Sequence, residues 1–226
     1  MSARRILVTA VAIATLVVPT VAQGATIRIT SAAGGLLGNQ QWSSGSTGSY
    51  VNSAGEAKVL PAGTMLGQLV AATAFTNTKL VVTDDDTYGA YVTSIGTQKL
   101  GAKATWDVYV NGRTPQLGAG ALVLKKADQV IWFLDDDYSK VGPVVLDLAY
   151  RVAADGAVTF TVRKAWGKGW SAAKGAKVTV DGTVVGTTGA SGTFTYTPTA
   201  DWDEATATQT GAIGSQTVIE APVDAG

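Results

Sequence analysis

Apolar and polar positions alternate differently in two successive regions of the chain. From Thr26 to about Tyr138 the pattern predicts strands around one helix, whereas from Pro143 onward it predicts only strands and turns. The segment between them, Ser139 to Pro143, is polar and turn-prone. We therefore predict a mainly β protein with two domains, residues 26–139 and residues 143–226.

The first region carries one amphipathic helical pattern. Apolar residues recur at helical spacing from Met65 to Thr73, Thr64 precedes them as an N-cap, and Asn77 is a natural stop. Between the first strand and this helix, residues 31–55 predict a mobile loop or an irregular hairpin. Strands are predicted at Thr26–Thr30, Ala57–Leu60, Lys79–Thr83, Ala90–Ile95, Thr105–Val110, Leu122–Lys125 and Val130–Leu134. Two strands, a helix and then a run of hairpins form a β-grasp-like order.

The stretch WDVYVNG, Trp106 to Gly112, predicts a strand that ends in an Asn-Gly hairpin turn. Trp106, Val108 and Val110 fall on one face of this strand, so we expect Trp106 to pack in the core under the helix. Tyr109 falls on the other face.

Tyr109 is therefore expected to face outward, beside Tyr91 or Phe133. An exposed aromatic patch of this kind would suit a flat ligand. These three residues are the first candidate ligand-binding residues.

The second region predicts a small immunoglobulin-like β-sandwich. Its short strands are separated by the turn pairs Asp155-Gly156, Asp181-Gly182 and Ser191-Gly192. The predicted strands are Val144–Val152, Ala157–Lys164, Lys177–Val180, Thr183–Thr187, Thr193–Thr197, Thr206–Gln209 and Gln216–Ala221. Residues 172–198 resemble the repeats of adhesin stalks and carboxypeptidase-regulatory-like domains, a resemblance that implies a spacing or presenting role.

The amino terminus has the pattern of a secretory signal peptide, which we place at residues 1–25. Two arginines precede the apolar run Ile6 to Val18, and small residues follow it, with cleavage sites available after Ala22, Gly24 or Ala25. No later apolar segment is long enough to serve as a transmembrane anchor. We therefore expect a secreted or extracytoplasmic protein, either free or associated with the cell surface.

The composition excludes several function classes. The chain contains no cysteine and no histidine, which rules out disulfides, thiol nucleophiles and a Ser-His-Asp triad. Its 17 basic and 17 acidic side chains leave no basic field for nucleic acid. With no nucleophile–base pair evident, we predict that the protein is not an enzyme and needs no cofactor.

Two aspartate runs and two tryptophans remain as candidate chemistry. Asp84 to Asp86 and Asp135 to Asp137 offer hard oxygen ligands for calcium, but neither run has the spacing of a known calcium loop, and solvated turns are the alternative. We therefore assign no metal site. Trp166 and Trp170 lie in a Gly-rich stretch, where they would either stack on sugar rings or plug the end of the sandwich.

Two stretches of the first region, TDDDTYGAYVTSIG and TWDVYVNGRTPQLGAGALVLKKADQVIWFL, carry a family resemblance. They resemble a secreted bacterial domain of unknown function that is similar to the C-terminal domain of transcobalamin and intrinsic factor. The matching positions are Gly89, Tyr91, Ser94, Ile95, Trp106, Tyr109, Asn111, Gly112, Asp128 and Trp132. In the carriers this domain forms one wall of a corrin site.

The resemblance implies a binding or surface-interaction protein whose ligand is a small molecule such as a corrinoid, or a protein partner. Because the second wall of the corrin site is absent, weak binding or another ligand is expected. Two alternatives stay open. One is a structural component of the cell envelope, and the other is a carbohydrate-binding accessory module that uses Trp166 and Trp170 on a surface polysaccharide.

Overall fold

The computed structural model describes residues 25–31, 34–41, 48–61, 63–85, 89–140 and 142–220. The predicted signal peptide, residues 1–25, therefore lies outside the described residues except for Ala25. The described part of the chain is mainly β with one α-helix, which confirms the predicted class. Among these residues, no helix has both the length and the apolar character needed to cross a membrane.

The helix forms where the sequence predicts it. Thr64 is extended, and its hydroxyl accepts a hydrogen bond from the backbone N–H of Gly67 at 3.2 Å, which caps the first turn. The helix ends at Phe75, and Asn77 adopts a left-handed φ of 51° that stops it. The elements of the first region are β1 (Thr26–Ser31), β2 (Gly34–Gln41), β3 (Gly48–Val51), β4 (Ala57–Leu60), α1 (Met65–Phe75), β5 (Leu80–Asp85), β6 (Gly89–Ile95), β7 (Gln98–Lys99), β8 (Thr105–Val110) and β9 (Gln129–Asp135).

A four-stranded mixed sheet organises the first region, in the order β2-β1-β9-β8. β1 pairs in parallel with β9, and both outer pairs are antiparallel. One face of this sheet and the buried face of α1 contribute to a common apolar core, in which Ile27, Leu66, Leu69 and Trp132 are buried. The smaller sheets, β5-β6-β7 and β3-β4, also contribute side chains to this core.

Two segments of the first region had uncertain or incorrect predictions. Among the described residues of the predicted loop 31–55, β2 pairs with β1 through two register shifts and β3 pairs with β4, which agrees with the irregular-hairpin alternative. Leu122–Lys125 does not form the predicted strand. Its backbone groups bond instead to the start of the helix, where Met65 N–H donates to the Leu122 carbonyl at 2.8 Å and Leu124 N–H donates to Gly63 at 2.9 Å.

The second region folds as two packed sheets, and its predicted strands all form within a few residues of their expected limits. The strands are β10 (Val144–Val152), β11 (Val158–Ala165), β12 (Trp170–Ala172), β13 (Lys177–Val180), β14 (Thr183–Thr187), β15 (Thr193–Tyr196), β16 (Glu204–Thr208), β17 (Ala212–Ile213) and β18 (Val218–Ile219). One sheet has the order β12-β11-β10-β17, with β15 also on β11, and the other has the order β14-β13-β16-β18. Trp202 lies between the sheets, with its ring edge-on to Tyr150 at 5.1 Å and to Phe160 at 5.8 Å. β12 and β17 were not predicted.

The two regions share a buried apolar interface, which a boundary at residues 139–143 did not lead us to expect. Tyr109, Ile131 and Phe133 project from β8 and β9 on the face opposite to the helix. They pack with Val145, Ala165 and Ile213 of the second region. The sheet of the first region is therefore covered on both faces.

Arg28 lies in the same interface and is almost completely buried. Its Nη1 donates to the Leu146 carbonyl at 2.6 Å and to Gln216 Oε1 at 3.2 Å, and its Nη2 donates to the Gly214 carbonyl. Burial lowers the pKa of Arg28 to about 10, although the nearby Asp147 opposes this shift, so the guanidinium stays charged at neutral pH. This side chain from β1 thus donates hydrogen bonds to two backbone carbonyls and one side-chain oxygen of the second region.

Candidate ligand-binding cleft

A cleft of about 260 Å³ opens between β6 and β8, and we refer to it as the β6–β8 cleft. Strand β8 is the edge of the four-stranded sheet, so its outer side is open to a neighbour. The loop that follows the Asn-Gly turn, residues 114–119, closes one side. The lining residues are Met65, Ala90, Tyr91, Val92, Trp106, Asp107, Val108, Thr114, Pro115, Leu117, Gly118, Ala119 and Trp132.

The inner wall of the cleft consists of core tryptophans held by strand alternation. In the β8–β9 register Trp106 lies opposite Leu134 and Val108 lies opposite Trp132, so both tryptophans are on the helix-facing side of the sheet. Trp106 is 5% exposed and belongs to the core that contains the helix, which confirms the prediction for this residue.

Both wall tryptophans have an unpaired indole N–H. Nε1 of Trp106 and Nε1 of Trp132 are buried, and within the described part of the chain neither has a hydrogen-bond partner. A buried donor without an acceptor costs about 1–3 kcal/mol, so such groups are uncommon and call for an explanation. Trp202 Nε1, in the core of the second region, is in the same state.

The mouth of the cleft combines exposed apolar groups with one carboxylate. Tyr91 is 41% exposed and Leu117 is 55% exposed. Asp107 lines the cleft from β8 and is half-buried. Burial raises the pKa of Asp107, and the like charge of Asp135 raises it further. The cleft therefore offers apolar contact at its rim, and its lining includes Asp107 and two core tryptophans.

The structure separates the three aromatic residues predicted to form one exposed patch. Tyr91 is exposed and lines the cleft, as expected. The expectation for Tyr109 and Phe133 is wrong, because they are only 4% and 1% exposed, with ring centroids 4.5 Å apart. The second region covers the face of the sheet to which strand alternation assigns Tyr109. The Tyr109 hydroxyl donates to the Pro143 carbonyl at 3.3 Å.

Trp166 and Trp170 do not form a shared stacking surface. The ring of Trp170 packs against the interface cluster and against Gly112, and the Arg163 guanidinium covers it at 4.8 Å. The ring of Trp170 is therefore packed inside the protein and does not form an exposed surface for stacking on a sugar. Trp166 is 46% exposed, and the Lys164 ammonium lies 5.4 Å from its ring centroid.

One aspartate from each run, Asp84 and Asp137, is engaged within the protein. Asp84 accepts hydrogen bonds from the Tyr50 hydroxyl at 2.6 Å and from Asn52 Nδ2 at 2.7 Å, and these bonds lower its pKa. Asp137 pairs with Lys140 at 2.9 Å and accepts from Ser139. Among the described residues, no three His, Cys, Asp or Glu side chains are grouped so as to hold a metal ion.

Several cleft residues were not singled out as candidate ligand-binding residues from the sequence, namely Asp107, Pro115, Leu117 and Trp132. The one local signal is Leu117, an apolar residue inside a Gly- and Pro-rich loop. The free indole donors have no local signal, because they depend on which groups the fold brings next to each ring.

The comparisons with known proteins concern the part of the chain that forms the cleft. A family model described as a domain of unknown function (DUF4430) matches residues 70–136, which is less than half of the chain. No curated protein and no solved structure matches the chain. Residues 70–136 include all the lining of the cleft except Met65, so the cleft belongs to the segment that is similar to this domain of unknown function.

Proposed function

We propose that the protein is a secreted, non-catalytic binding protein whose β6–β8 cleft holds a ring-sized group of a small molecule. The observation that carries this proposal is the cleft itself, a space of about 260 Å³ with the two core tryptophans Trp106 and Trp132 in its wall and with Tyr91 and Leu117 exposed at its rim. Binding sites usually combine apolar walls with a few polar groups that fix orientation. The signal-peptide pattern of residues 1–25 supports secretion.

The proposed fold assignments support the same role. We propose that the first region is a β-grasp-like domain similar to the C-terminal domain of transcobalamin, and the helix packed on a mixed sheet supports this assignment. We propose that the second region is an immunoglobulin-like sandwich, and its two sheets around one core support this assignment. In this proposal the first region binds the small molecule, and the second region presents the first region at the cell surface.

The size of the cleft limits what it can enclose. Its volume of about 260 Å³ lies below the range of about 300–1,000 Å³ that is usual for sites enclosing a drug-sized molecule. A whole corrinoid would therefore contact the cleft only through one edge or substituent. A single six-membered ring is the better match.

Tyr91 provides the first test of the cleft. We expect the protein to bind cyclohexanol, a ring with one hydroxyl acceptor, with a dissociation constant on the order of millimolar, and Tyr91→Ala to weaken binding about fivefold by removing rim contact. Isothermal titration calorimetry measures both values. Tyr138→Ala, which removes an exposed tyrosine outside the cleft lining, is the matched control. Equal weakening by both variants, or no binding to the wild-type protein, would refute the proposal.

A further inference from the structure

We propose that the small molecule held in the β6–β8 cleft is a short extended peptide, which pairs with the free backbone edge of β8 at Val108 and places a ring-bearing side chain in the cleft. This inference rests on the proposed function and specifies its ligand class. Three features of the cleft lead to it: its course along two strands, the backbone groups of β8 and the backbone groups of β6.

The cleft runs along the edges of two strands. Its lining includes three successive residues of β8, Trp106 to Val108, and three successive residues of β6, Ala90 to Val92. Successive side chains of a strand point to opposite faces, so a space lined by three residues in a row lies beside the backbone edge. β7 pairs with β6 only at Ser94 and Ile95, and no strand pairing joins β6 to β8 among the described residues. Both edges therefore border the same space.

The register of β8 leaves the backbone groups of Val108 on the cleft side. Asn111 N–H donates to the Gln129 carbonyl at 2.8 Å, so Asn111 and every second residue before it direct their backbone groups toward β9. The residues between them direct theirs away from β9, and Val110 accordingly exchanges two hydrogen bonds with Arg113, at 2.8 and 3.0 Å. Val108 is the next such residue, and within the described part of the chain no strand pairs with β8 on that side.

Strand β6 has a free edge for the same reason. On the far side of its neighbour β5, Ser53 N–H donates to the Val82 carbonyl at 2.9 Å, so Val82 directs its backbone groups away from β6. Val82 lies opposite Val92, whose groups therefore point away from β5, as do those of Ala90 two residues earlier. The cleft thus has backbone donors and acceptors along both of its strands.

These backbone groups favour a peptide as the ligand. Val108 is only partly buried and offers one N–H and one C=O, and another strand residue, with its own N–H and C=O on one side, satisfies both at once. The cleft holds one chain rather than the edge of another sheet, because its volume is about 260 Å³ and residues 114–119 close one side. A ring on the bound residue would contact Tyr91 and Leu117 at the rim.

Matched peptides test the backbone pairing from the ligand side. N-acetylphenylalanine N-methylamide carries the N–H and C=O of one strand residue and a ring, whereas its analogue methylated on the phenylalanine nitrogen keeps the ring and lacks that N–H. By calorimetry on the full chain, we expect the first peptide to bind about tenfold more tightly than the methylated analogue, because the analogue cannot donate to the Val108 carbonyl.

Val108→Pro tests the pairing from the protein side. The N–H that it removes lies outside the β8–β9 ladder, so a proline is compatible with this edge position. Val108→Ala shortens the same side chain but keeps the N–H, and it is the matched control. The first peptide should bind Val108→Pro about tenfold more weakly than Val108→Ala.

If Val108→Pro does not fold by circular dichroism, the backbone amide signal of Val108 in the wild-type chain decides the question. Saturating peptide should shift this signal and slow its hydrogen exchange, and an unchanged signal would overturn the inference. Equal binding of the two peptides, or equal binding of the first peptide to both variants, would also overturn it, whereas the proposed function stands if cyclohexanol binds. If neither cyclohexanol nor either peptide binds, both fail.

Discussion

Arg28→Met is expected to lower the free energy of unfolding by about 3–5 kcal/mol, which makes it one of the two most destabilising changes we foresee. The methionine keeps much of the length of the side chain but leaves the carbonyls of Leu146 and Gly214 and the amide oxygen of Gln216 without their donor. These acceptors belong to the second region, whereas Arg28 is on β1 of the first. The loss should therefore affect both regions at once.

Urea denaturation followed by tryptophan fluorescence measures this effect. Arg151→Met is the matched control, because Arg151 is exposed on β10, and it should change the stability by less than about 0.5 kcal/mol. A loss below about 1 kcal/mol for Arg28→Met would show that the buried network contributes little. A first region that unfolds alone, with the second region unchanged, would contradict the shared interface.

The second large effect is expected from two residues of β8, three positions apart, that point to opposite faces. Trp106→Ala should cost about 3–5 kcal/mol, because its ring fills the core that contains the helix. Tyr109→Ala should cost about 3 kcal/mol or more, because its ring packs on Phe133 in the interface with the second region. Chemical denaturation of both variants gives the two values.

Tyr138→Ala serves as the control for the tyrosine, since its side chain is 61% exposed and should contribute little. If Tyr109→Ala were as mild as this control, the outer face of β8 would be solvent-exposed, as strand alternation alone suggests. Comparable losses at Trp106 and Tyr109 would instead support a strand that is buried on both faces.

The local elements were predictable because their signals lie within a few residues. Thr64, the helical spacing behind it and Asn77 set the helix, and all three act within single turns of backbone. The two-residue turn at Asp181-Gly182 likewise fixes its hairpin, since both residues adopt positive φ, 46° and 75°. Such elements are determined by residues within them or directly next to them.

The burial of Tyr109 was not predictable from alternation, because alternation assigns a face but not what covers that face. One signal was present in β9, where Val130 to Leu134 are five consecutive apolar residues. Such a run is typical of a strand buried on both sides, and all five residues are buried. The apolar run in β9 therefore predicts that the second face of the sheet is also covered.

The candidate site was only partly predictable for a related reason. Tyr91 could be identified from its strand and its likeness to the family pattern, but the cleft forms where β6, β8 and the loop of residues 114–119 meet. The unpaired state of two indole donors depends on every group around them. Properties defined by such an environment emerge only when distant segments are placed together.

The most direct test of the cleft is an NMR titration with cyclohexanol. Each of the six tryptophans contributes one indole N–H signal to a heteronuclear spectrum. Trp202 is an internal control, because its buried indole N–H also has no partner among the described residues but lies in the core of the second region. The account predicts saturable shifts of the Trp106 and Trp132 signals and a constant Trp202 signal. Unchanged signals for Trp106 and Trp132 at saturating cyclohexanol, or equal shifts for all three, would contradict it.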